Sequence, residues 1–208
     1  MRHHTKRGLS RLRVLREDHA SAAAEMAIER GRFDAIREGG ATVSVTAPQL
    51  FQTPEAIAWK LAGMIPKGGR ILEPSAGLGR IVDAVSRRCA PAELVAVEIA
   101  PQCAEQLYKR GDCRLIQADF LECDAERLGG LFDAIVMNPP FKQGRDIKHL
   151  RHAESLLKPG GVLVSLCFDG VKQNRDLKPW ADSWEVLPAD SFKSEGTRAG
   201  VAVLTKRA

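Results

Sequence analysis

Arg70-Ile71-Leu72-Glu73-Pro74-Ser75-Ala76-Gly77-Leu78-Gly79-Arg80 opens with a short apolar run that Pro74 stops, passes through a loop with two glycines, and continues with helical period to Cys89. A strand, a glycine loop and a helix in that order form the entry unit of an α/β fold. The alternation continues on the carboxyl side. Residues 93–98, Leu-Val-Ala-Val between two acids, read as a second strand, and Pro101 suits the first turn of a helix through Arg110 that Gly111 ends. Residues 114–118 and 132–137 read as the third and fourth strands. Asp146 is the expected cap of a helix through Leu157, which Lys158-Pro159-Gly160-Gly161 closes. Residues 162–168 form a continuous apolar run, as a parallel strand buried on both faces should. Residues 184–187 and 200–205 add two strands around a turn at 193–198. Seven strands with helices between most of them predict a doubly wound, mostly parallel sheet. Ligands of such sheets bind at the carboxyl ends of the strands, near the point where the strand order reverses.

The 208 residues suffice for one domain with a sizeable core plus a short appendage. No apolar run approaches the roughly 20 residues needed to cross a bilayer, and no apolar segment follows the basic start as in a secretory signal. Five scattered cysteines, none paired as CxxC or set near histidines at zinc spacing, suit buried, reduced thiols in a cytoplasmic protein. The net charge of +5 is unevenly placed: residues 1–40 carry 9 basic and 6 acidic residues, and residues 142–208 carry 12 and 8. Residues 9–37 are rich in Ala, Glu, Arg and Leu, lack proline and end at Gly39-Gly40, so residues 1–40 read as a basic helical arm ahead of a domain spanning 41–208. Arg2, Lys6, Arg7, Arg11, Arg13 and Arg16 precede the first acid, Glu17, a distribution that suits a phosphate backbone.

Three successive strand ends carry matching chemistry. Glu73 to Gly79 is a loop in which glycines let the backbone approach a ligand closely. Glu98 ends the second strand, where an acid can accept both hydroxyls of a ribose. Asp119 follows the third strand, placed to accept from an adenine amino group while Phe120 packs beside the ring. Together they describe an adenosyl pocket. The fourth strand ends in Asn138-Pro139-Pro140-Phe141. Two prolines fix the backbone there, so the Asn138 amide and the Pro139 carbonyl can converge on one NH2 group. Accepting both of its hydrogens draws a delocalised nitrogen toward tetrahedral geometry and aims its lone pair at a methyl donor, which is catalysis by positioning and electrostatics. Phe141 offers a flat face to a base taken out of its stack.

On these residues the sequence resembles the amino-methyltransferases that carry an Asn/Asp-Pro-Pro-aromatic motif, over residues 51–207. The resemblance implies a Rossmann-like, seven-stranded class I fold and S-adenosyl-L-methionine as cofactor, with no metal required. It assigns cofactor contacts to Phe51, Thr53 and Pro54 upstream, to Glu73, Pro74, Ser75, Ala76, Gly77 and Gly79 in the glycine loop, to Glu98 and Ile99, to Asp119 and Phe120, and to Asn138. Asn138, Pro139, Pro140 and Phe141 become the catalytic group, and Ser191 to Ala199 loosely resembles the late loop that backs the target base. Small prophage and mobile-element N6-adenine DNA methyltransferases look similar through His149, His152 and the Lys-Pro-Gly-Gly turn. The implied activity is methyl transfer to adenine N6, with DNA ahead of RNA. The alternatives are adenine N6 or guanine N2 of RNA, a protein glutamine, or a catalytically silent nucleic-acid-binding partner subunit. The chain has no room for a separate target-recognition domain, so recognition falls to the arm, to the loop Lys142-Gln143-Gly144-Arg145, or to a partner subunit or second copy. His149 and His152 read as surface positions on the helix after that loop, and Trp59, Trp180 and Trp184 as core.

Overall fold

The computed structural model of the chain describes residues 52–192 and 200–208. The arm at 1–40, Phe51 and the turn expected at 193–198 lie outside the described residues. Helix α1 (Glu55–Ala62) leads into β1 (Arg70–Glu73), α2 (Arg80–Cys89), β2 (Glu93–Glu98), α3 (Pro101–Arg110), β3 (Arg114–Gln117), α4 (Ala125–Leu128) and β4 (Phe132–Met137). Then follow α5 (Arg145–Glu154), β5 (Leu157–Phe168), α6 (Val171–Asp176), β6 (Ser183–Val186) and β7 (Val201–Arg207).

The seven strands form one sheet in the order β3-β2-β1-β4-β5-β7-β6. Pairings among β3, β2, β1, β4 and β5 are parallel, whereas β7 runs antiparallel to both β5 and β6. The alternating strand, loop and helix read from the sequence therefore builds the expected doubly wound sheet, and the closing strands enter it as a hairpin-like pair. Strand residues alternate between two apolar layers, because successive side chains point to opposite faces. Ile71, Ala96, Val136 and Val164 pack with Leu61, Val85 and Leu107 on one face, and Leu72, Val97, Ile135 and Leu163 pack with Leu128, Leu150 and Leu177 on the other.

At the amino end of the sheet, the Arg70 guanidinium donates to the carbonyls of Leu128, Gly130 and Leu131, pairs with Glu93, and stacks 4.3 Å over the Phe132 ring. This fan of donors fixes the loop before β4 to β1 and β2 at the edge opposite the strand ends where the loops gather.

Two local expectations are corrected. Asp146 does not cap a helix: Gly144, with φ of +71°, precedes α5, and the Asp146 side chain turns inward and is fully buried. It accepts from the Phe168 amide at 3.2 Å, from its neighbour Ile147 at 3.0 Å, and from the Gln173 side chain at both oxygens. The helix also stops at Glu154, because Leu157 already pairs with Phe132, and the Lys158–Gly161 segment lies within β5 across a slip in its register with β4. Gly161 suits that slip, since a Cβ there would meet the carbonyls of Lys158 and Phe132 at 2.9 and 3.1 Å. The cysteines are free, with four buried and Cys113 half-buried. The three tryptophans are half-buried against the two apolar layers.

Candidate active site

At the carboxyl ends of β1, β2, β3 and β4 the loops enclose a cleft of about 220 Å³. Most of the sequence-predicted residues converge on it: Thr53, Glu73, Pro74, Ser75, Ala76, Gly77, Glu98, Ile99, Asp119, Phe120, Asn138, Pro139 and Pro140 all line its wall. Pro54 lies just behind, buried at the start of α1, where its carbonyl accepts from Ala58. Gly79 also stands outside the wall and holds the start of α2 with φ of +84°; a Cβ there would come within 2.7 Å of Leu107. Phe141 is half-buried against the apolar layer on the α1–α2 side and is not among the lining residues.

The glycine loop and Glu98 form one unit. The Ala76 amide donates to the Val97 carbonyl at 3.0 Å, and Gly77, in left-handed conformation with φ of +53°, donates its N–H to Glu98 at 2.7 Å. The second Glu98 oxygen accepts from Ala100, also at 2.7 Å. Two backbone amides thus fix the orientation of this carboxylate before any ligand arrives. Glu73 is 1 % exposed, and its Oε2 has no partner among the described residues. Burial, reinforced by the neighbouring Glu98, holds its carboxyl well above the usual glutamate range.

On the floor, Asn138 donates through Nδ2 to Thr53 Oγ1 at 3.1 Å, so the end of β4 is fastened to the segment ahead of α1. Gln52, on the same segment, accepts from Arg80 at 3.0 Å. At the opposite corner Asp119 accepts from the Leu121 amide at 3.0 Å and from Arg145 at 3.2 Å. The Phe120 ring, 2 % exposed, lies between His149 at 5.5 Å and His152 at 4.8 Å between centroids.

His149 and Arg145 line the cleft unexpectedly, and the reading of His149 as a surface residue is corrected: it is 4 % exposed. Neither of its ring nitrogens has a partner among the described residues. Burial, with Arg145 nearby, pushes its pKa down to about 4, so the ring is neutral at physiological pH. His152 is half-buried and bonds through Nε2 to the Cys123 carbonyl at 2.8 Å. The available signal for His149 was its place one turn after Arg145, on the helix that leaves the Asn-Pro-Pro-Phe loop.

Comparison with known proteins finds likeness to methyltransferases over part of the chain. Residues 71–161 match the family model described as a methyltransferase domain. The chain is 33% identical over 103 residues to a demethylmenaquinone methyltransferase of Thermus thermophilus, covering 48% of this chain and 47% of that protein. It is 32% identical over 75 residues to the rRNA N(6)-adenosine-methyltransferase metl-5 of Caenorhabditis elegans, covering 34% of this chain and 35% of that one. The chain thus spans less than half the length of these curated relatives. Among solved structures, TrmN from Thermus thermophilus superimposes with a TM-score of 0.57 at 23% identity, over 78% of this chain and 51% of that one. The fold is the Rossmann-like fold of class I methyltransferases. S-adenosyl-L-methionine is the cofactor of that family and fold.

Proposed function

We propose that this chain transfers the methyl group of S-adenosyl-L-methionine to an exocyclic amino nitrogen of a nucleobase, adenine N6 in RNA. The observation that carries the reading is Asn138: the Asn-Pro-Pro segment forms the floor of the cleft, and Thr53 holds the amide in place. The residues present fit the cofactor. Glu73 would offer a buried carboxyl oxygen to its ammonium group, Glu98 a prefixed carboxylate to its ribose hydroxyls, and Asp119 an acceptor to its adenine beside the buried Phe120. When bound, the cofactor would supply the methyl group: its S–CH3 bond would break to leave the neutral thioether as the N–CH3 bond forms, and the surplus amine proton would pass to solvent. Asn138 and the Pro139 carbonyl accept the hydrogens of the target amine and direct its lone pair, and Phe141 meets the base outside the cofactor wall.

RNA is favoured over the DNA first expected because the curated relative with an N(6)-adenosine activity is named as acting on rRNA. DNA is the second reading, carried by the likeness to prophage enzymes from Asn138 through Gly161. The deciding assay incubates the protein and tritiated cofactor with DNA, RNA and protein extracts, followed by nucleoside and amino-acid analysis. N6-methyladenosine in RNA is the expected product. Label confined to DNA, to guanine N2 or to glutamine reassigns the substrate. A protein that binds cofactor and nucleic acid but labels nothing is the silent partner subunit instead.

A further inference from the structure

We infer that His149 is a cofactor-binding residue: from α5 its imidazole donates a hydrogen bond to a ring nitrogen of the cofactor's adenine. The inference rests on the proposed placement of the adenine at the Asp119–Phe120 corner. His149 follows Arg145 by one helical turn, so both side chains share the face of α5 that borders this corner. Arg145 is bonded to Asp119, and His149 packs on Phe120. The target-amine side of the cleft lies elsewhere, where Asn138 is fastened to Thr53.

A buried imidazole normally spends its polar atoms on protein partners. His152 does so, with Nε2 on the Cys123 carbonyl, but both nitrogens of His149 lack a partner among the described residues while the ring borders the cleft. Leaving them so costs stability in the ligand-free protein, a pattern that points to a partner supplied by a ligand. Neutral imidazole carries one N–H donor and one acceptor, and the unsubstituted ring nitrogens of adenine are acceptors that such a donor fits.

The test titrates wild type and His149→Phe with S-adenosylhomocysteine and its 1-deaza, 3-deaza and 7-deaza adenine analogues by calorimetry. Wild type should bind one analogue about 3–10-fold more weakly than the parent, the range of one neutral hydrogen bond. His149→Phe keeps the ring contact with Phe120 and should no longer distinguish that analogue from the parent. In a second measurement that needs no variant, the ring nitrogens of 15N-labelled His149 should shift when S-adenosylhomocysteine binds wild type. Equal discrimination in wild type and variant, no discrimination by wild type, or a resonance that moves only when RNA is added would each overturn the assignment. A wild type that binds none of the four ligands would instead overturn the cofactor reading beneath it.

Discussion

The Asn138 amide leaves the end of β4 with its nitrogen committed to Thr53, so its oxygen is oriented before any ligand enters. If that oxygen stabilises the amine only as the methyl moves, Asn138→Ala should lower single-turnover transfer by about 10²–10³, or roughly 2.7–4 kcal/mol. RNA affinity should stay within a few-fold, which a filter-binding titration checks. Glu73 illustrates the opposite effect, a group that weakens the empty fold. Its carboxyl holds a proton more tightly in the folded chain than in the unfolded one. The stability this supplies is complete below the usual glutamate value and is lost as pH rises through the raised folded value. Glu73→Gln should therefore melt above wild type at pH 8 without ligand, by roughly 2–4 °C per kcal/mol gained. The gap should narrow toward pH 4, and S-adenosylhomocysteine should bind the variant more weakly, both measurable by scanning calorimetry.

At the scale of the elements, α5 is held in place by a polar bolt. Asp146 joins its first turn to the end of β5 and to α6 through the Phe168 amide and Gln173. Asp146→Ala strands both donors in the interior and should cost about 1–3 kcal/mol in urea unfolding. It should also reduce methyl transfer, because Arg145 and His149 ride on the same helix; Asp146→Asn should be milder. This bolt marks the limit of what the sequence made legible. The strands and their loops were visible because β1, β2, β4 and β5 are apolar runs ended by charge, glycine or proline. Glu73, Glu98 and Asn138 could be placed because each ends or follows such a run, and Asp119 because it follows the shorter β3. The inward face of α5 carries Asp146 and His149 beside Leu150 and Ala153, and apolar periodicity counts buried polar residues as surface. The Pro-Gly-Gly turn signal likewise hid the fact that β5 begins at Leu157 and pairs across it.

For the molecule as a whole, the parallel strands bring their carboxyl ends to one edge, where the cleft lies, while Arg70 braces the other. We propose that the arm at 1–40, outside the described residues, holds nucleic acid through its phosphates. Removing residues 1–16 deletes Arg2, Lys6, Arg7, Arg11, Arg13 and Arg16. If all six reach phosphates, the slope of log affinity against log salt should flatten by about 4 on single strands and about 5 on duplexes. Cofactor affinity should not change. Titrations of truncated and full chains at several salt concentrations measure the difference, and equal slopes would leave the arm without this role.

The order of strands across the sheet differs from their order along the chain, and this matters while the protein is being made. β5 lies between β4 and β7, and seven of its residues are in register with β7. During translation β4 is available to β5 at once, but Val201 leaves the ribosome 33 residues after Phe168. At ~5–20 residues per second the interval is about 2–7 s. Throughout it the apolar run from Val162 to Cys167 presents an open backbone edge, the kind of surface that recruits other chains. Until β7 pairs with it, that edge leaves the nascent polypeptide open to association with other chains.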